Sequence, residues 1–143
     1  MGLSELYQKS LMAFWNYTHN TQYSPEHRLS EEELLSVTPD QLYAFFAFKV
    51  YGIPDPDESD NPTFGRSSSI EYHKKAISYF MPNRLPHWDV RTMSGNPTKS
   101  VKVNDLIKRV KKIGQETRFT FSGKAANADI RIQRNHQKML EQQ

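Results

Sequence analysis

Residues 38–52 read TPDQLYAFFAFKVYG. Thr38 can cap a helix, Pro39 suits the first helical position, and Gln41 stands at N3 to complete a capping box. Gly52 is a natural stop. Leu42, Phe45, Phe46, Lys49 and Val50 trace one face, and Tyr43 and Phe48 make the segment apolar nearly all round. A helix of that kind belongs at the centre of a core. The flanking segments are therefore read as elements packed around it.

Upstream, Ser30 and Glu33 form a second capping box that opens a short helix ending before Thr38-Pro39. Before that, HNTQYSPEHR is a polar loop broken by Pro25. Leu3, Leu6, Tyr7, Leu11, Phe14 and Trp15 recur at helical spacing and predict a helix from Ser4 to about Thr18. Downstream, IPDPDESDNP carries three prolines and four acids and reads as an exposed loop. Ser67-Ser68-Ser69 starts the next helix, with Ser68 and Glu71 as a third capping box, and it ends before Pro82. Arg84 to Thr98 is irregular, with Trp88 as the anchor that buries it. Val103, Leu106, Ile107, Val110 and Ile113 then form one stripe of a helix from about Ser100 to Ile113, ended by Gly114. Arg118-Phe119-Thr120-Phe121 alternates as a short strand would, and Lys124 to Leu140 has the composition of a solvated helix. The sum is an all-α fold, a compact bundle of four to six short helices. It divides into an N-terminal helical extension (1–37), a helical core (38–114) and a polar basic tail (115–143).

Composition narrows the function. The 143 residues include no cysteine, which excludes disulfides and thiolate chemistry and fits an intracellular chain. No apolar run approaches the ~20 residues that span a bilayer, so no membrane partner is expected. The five histidines are not at metal-ligand spacing, and no metal or other cofactor is expected. No nucleophile elbow, Walker loop or dinucleotide fingerprint occurs. An enzyme with a small-molecule substrate is therefore not expected, and no catalytic residue is assigned. The acidic loop lacks the ligand order of a calcium loop.

Charge is the strong signal. Residues 1–62 hold three basic residues against ten acids, a net of −7, whereas 63–143 hold sixteen against six, a net of +10. Such a split points to a polyanion contact in the second half. Arg66 and Ser67 to Ser69 stand at a helix start, where unpaired amides favour phosphate. Lys74 and Lys75 follow. Lys99, Lys102, Lys108, Arg109, Lys111 and Lys112 lie on or just before the later helix, off its apolar stripe. Charge runs are usually solvated faces. Two clusters in one half, from which acids are largely missing, favour a binding surface.

The order of pieces from Thr38 to Lys112, about half the chain, resembles the SAM-like, all-helical core-binding domain of tyrosine recombinases and integrases. LYAFFAFKVYG matches the aromatic-rich helix end, RSSSIEYHKKAISYF the helix begun by Ser/Thr, and GNPTKSVKVNDLIKRVKK the N-P-T element with its basic last helix. The last piece most resembles Crypton-like recombinase-related proteins of eukaryotic mobile elements, in which similar wording recurs. The resemblance implies duplex DNA as partner and a nuclear location. Arg66, Ser68 and Ser69 would contact DNA at the helix start, Lys74 and Lys75 would follow, and Lys99, Lys102, Lys108 and Lys112 would meet phosphates.

The family's catalytic domain has no counterpart here. Only 31 residues follow Lys112, the last tyrosine is Tyr79, and His87-Trp88-Asp89-Val90-Arg91 has three residues between His and Arg where the family has two. The expectation is a DNA-binding module without strand cleavage of its own. The alternative is a helical protein–protein interaction domain whose basic surface meets an acidic protein or a second copy of itself.

Overall fold

Thr38 takes an extended backbone, and its hydroxyl accepts from the Gln41 amide while the Gln41 side chain accepts from the Thr38 amide. This closed box starts helix α3, Pro39–Tyr51, which ends on Gly52 in the left-handed region (φ 79°). The computed structural model describes residues 2–123. Around α3 stand α1 (Leu3–His19), α2 (Glu31–Leu35), α4 (Ser67–Phe80) and α5 (Val101–Gly123), with a 3-10 turn at Pro97–Lys99. No strand occurs among the described residues, and two isolated bridges, His87 with Asn96 and Asp89 with Ser94, close a small loop. The protein is an all-α bundle.

One cluster forms the core. Leu11, Met12, Phe14 and Trp15 of α1 meet Leu42, Phe45, Phe46 and Val50 of α3, Ile70 and Ile77 of α4, and Val103, Leu106 and Val110 of α5. The Phe14 and Phe45 rings meet edge to face at 5.6 Å between centroids, an arrangement favoured by the ring quadrupoles. Because α1 supplies four of these side chains, residues 1–37 and 38–114 share a single core. α3 is central as its sequence predicts, though not buried all round. Lys49 is exposed, and Phe48 is 42% exposed and stacks on Tyr17 at 4.9 Å.

Three local expectations fail, each for a physical reason. The Ser68–Glu71 capping box does not form. The chain is already helical at Ser67, with Arg66 as an N-cap that makes no side-chain bond. Residues just before set that earlier entry. The Phe64 amide donates to the Val50 carbonyl (3.0 Å), and Gly65 lies so close to the Lys49 carbonyl that a Cβ there would sit 3.0 Å from it. Gly114 does not end α5. A glycine inside a helix costs only about 1 kcal/mol, and α5 continues to Gly123. Residues 118–121 accordingly lie within a helix rather than a strand. The expectation for Lys124 to Leu140 falls outside the described residues.

Candidate nucleic-acid interface

The connection from Met81 to Ser100 is irregular, yet it is held at many points, and Asn96 is its centre. Asn96 is fully buried. Its Oδ1 accepts from the Thr98 amide (3.0 Å) and the Thr98 hydroxyl (2.7 Å). Its Nδ2 donates to Ser78 Oγ (2.8 Å) on α4 and to the Arg84 carbonyl (2.9 Å). Its backbone amide donates to the Pro86 carbonyl (2.9 Å). A buried polar side chain with every partner in place specifies geometry rather than merely tolerating burial. Gly95 makes the approach possible. It sits at φ 106°, and a Cβ there would lie 2.3 Å from the His87 carbonyl oxygen. The Asn96-Pro97-Thr98 element is thus a structural latch that fixes the 3-10 turn and Lys99 against α4. Ser100 then starts α5, its Oγ accepting from the Val103 amide at 3.3 Å.

This latch, α4 and α5 enclose an open groove of about 510 Å³. Glu71, Lys74, Lys75 and Ser78 line it from α4, at the spacing of one helix face. Asn104, Ile107 and Lys108 line it from α5, and Arg84, Thr98 and Lys99 from the latch. Five cations and one carboxylate therefore face one concavity. Lys74 is the most constrained. Its Nζ donates to Asn104 Oδ1 at 2.7 Å. Burial holds its pKa below the ordinary lysine value, the neighbouring Lys99 lowers it further, and Glu71 partly offsets both. Lys99 donates to the Leu85 carbonyl at 3.3 Å. Lys75 and Lys108 are exposed, and their ammonium groups make no hydrogen bond or ion pair with a described residue.

The expected site residues thus fall into groups. Lys74, Lys75, Lys99 and Lys108 converge on the groove. Arg84 joins them, and sequence reasoning missed it because nothing in a loop's composition shows which way it folds back. Lys112 is exposed, one turn beyond Lys108 on the same face. Ser68 lies one turn before Glu71 in line with the groove, with Arg66 exposed at the helix start. Ser69 shares its row instead with His73 and Ala76. That row faces α1 and the core, since Ala76 is buried and His73 Nδ1 lies 3.1 Å from Ser10 Oγ. Lys111 pairs with Glu71 at 3.5 Å. Lys102 and Arg109 lie round α5 toward α3. Lys102 pairs with Asp40 at 2.7 Å and sits over the Tyr43 ring at 4.9 Å. Arg109 sits over Tyr51 at 5.1 Å and donates to the Asp57 carbonyl.

No group of His, Asp or Glu able to hold a metal occurs among the described residues. No described helix is long and apolar enough to cross a membrane. No protein-family model, curated protein or solved structure matches the chain.

Proposed function

We propose that the chain is a duplex-DNA-binding module of the recombinase core-binding kind, acting in the nucleus and holding DNA through phosphates without cleaving it. The supporting observation is the groove between α4 and α5, where Lys74, Lys75, Lys99 and Lys108 converge with Arg84. Cations gathered in a concavity raise the local potential for a phosphodiester more than the same charges scattered on a convex face. The choice of duplex DNA within the polyanions comes from the resemblance over 38–112.

Binding by phosphate contacts is salt-dependent and sequence-tolerant. Four neutralised phosphates give a log–log salt slope of about −3.6, at roughly −0.9 each. Fluorescence anisotropy with unrelated duplexes measures it. Lys75→Ala with Lys108→Ala should reduce the slope by about 1.8 on every sequence alike. A flat salt response in the parent protein would overturn the reading. The exposed acidic loop 53–62 favours one other reading, in which that loop of a second copy enters the groove. Oligomers that dissociate in salt, without any DNA shift in gel mobility, would decide for it.

A further inference from the structure

At the rim of the groove, Leu85 combines an exposed side chain with a fixed backbone. Its side chain is large and apolar, and the residue is 81% exposed. Scattered exposed leucines are ordinary and carry no message. This one differs in how firmly its backbone is held. The carbonyl before it, on Arg84, accepts from Asn96 Nδ2 at 2.9 Å. Its own carbonyl accepts from Lys99 Nζ at 3.3 Å. The next carbonyl, on Pro86, accepts from the Asn96 amide at 2.9 Å. Pro86 also confines the Leu85 backbone to extended conformations. Three successive carbonyls are therefore pinned to a buried asparagine and a groove lysine, and the side chain between them points to solvent.

Leu85 is also continuous with the charge. Arg84 before it lines the groove, and the lysine that holds its carbonyl is Lys99 of the same groove. A phosphate strand lying on Lys99 brings sugars and base edges next to Leu85. A rigidly presented apolar side chain beside a basic track is the arrangement that unstacks a base step and bends a duplex. Resting on the DNA-binding reading above, we infer that Leu85 is an apolar wedge that enters the duplex beside the phosphates held by the α4–α5 groove, so that binding bends the DNA.

The test uses the full chain with short duplexes carrying 2-aminopurine, plus end-labelled duplexes for energy transfer. The parent protein should raise 2-aminopurine fluorescence and shorten the end-to-end distance as it saturates. Leu85→Ala should abolish both signals and weaken binding about tenfold, as a central contact does, while keeping the salt slope. Leu85→Met should restore both signals. The exposure of Leu85 leaves the fold of these variants intact, which circular dichroism checks. Salt-dependent binding by the parent with no unstacking and no bend would overturn the wedge and leave the groove standing. Equal bending by parent and Leu85→Ala would do the same. Absence of salt-dependent DNA binding would overturn the groove reading and the wedge with it. Co-sedimentation with phosphatidylserine vesicles that requires Leu85, in a protein that leaves duplexes unbound, would assign the leucine to a bilayer surface and overturn both.

Discussion

The two sides of α5 carry the same residue types and put them to different use. Toward α3, Lys102 and Arg109 meet the acidic half of the chain, through the Asp40 carboxylate and the Asp57 carbonyl, and each cation covers a tyrosine ring. Toward α4, Lys111 pairs with Glu71, the one carboxylate lining the groove among the described residues, whereas Lys108 shares the groove with Lys74, Lys75 and Lys99. Sequence position alone does not separate Lys108 from Arg109. The neighbouring element does, because α3 and its loop present acceptors whereas α4 and the latch present more donors. Internal pairing satisfies a cation within the fold, and crowding of like charges leaves cations whose best partner is an external anion.

The largest effect should come from breaking the groove side at its latch. Gly95→Ala forces a side chain into the left-handed region and into the His87 carbonyl, both of them backbone features that cannot move aside cheaply. Denaturant unfolding should show a loss of about 4 kcal/mol. Asn96→Ala should cost somewhat less, about 3 kcal/mol, by leaving Ser78, Thr98 and the Arg84 carbonyl short of a partner. Next comes the direct contrast between the faces, with two charges removed each time. Lys75→Ala/Lys108→Ala should reduce DNA affinity at physiological salt by about tenfold or more. Lys102→Ala/Arg109→Ala should leave the salt slope nearly unchanged and cost about 1 kcal/mol of stability through lost ring contacts and one exposed ion pair. A slope that falls equally for both pairs would erase the distinction.

A smaller effect concerns the α1 side of α4. Burial lowers the His73 pKa below its ordinary 6.5, and Lys49 lowers it further. Ser10 Oγ of α1 lies 3.1 Å from its Nδ1, and the Phe45 and Tyr72 rings stand in T-shaped contact with it. Below 6.5 the unfolded chain takes up a proton at this position that the folded chain refuses. Stability present above that pH should therefore fall as pH drops from about 7 toward 5. In His73→Phe the melting temperature should lose that part of its pH dependence. The smallest effect is Asp40→Asn, which removes an ion pair whose side chains are 48% and 82% exposed. It should stay within about 0.5 kcal/mol.

Much of this fold is legible in the sequence, where local chemistry decides the outcome. The Ser30 and Thr38 boxes form with both reciprocal bonds, Gly52 stops α3, and the Val103–Val110 stripe is buried. Ser68–Glu71 has the same spacing and fails, because Phe64 and Gly65 dock on α3 and start the helix one residue before Ser68. The basic groove is half legible. Lys74, Lys75 and Lys108 follow from helical spacing, whereas Arg84 arrives through a loop whose path depends on Asn96 reaching Ser78, eighteen residues earlier. Such a contact leaves no periodic trace. The N-P-T stretch attracts notice as a family-like element, and its structural role is to fold the loop through Asn96 while Thr98 lines the groove.

Gly52 and Phe64 have a practical consequence. The Phe64 ring fills the space where a Gly52 Cβ would stand, 2.7 Å from the nearest ring carbon, and the Phe64 amide returns to the Val50 carbonyl. The acidic segment 53–62 is consequently tied at its neck by that bond and that ring contact. Doubling a closed loop costs only about 0.6 kcal/mol of chain entropy. A peptide tag or fluorophore inserted between the exposed Pro54 and Asp55, outside the turn that Asp57 closes with Ser59 and Asp60, would leave the α4–α5 groove clear, a built-in handle for surface tethering and distance measurement.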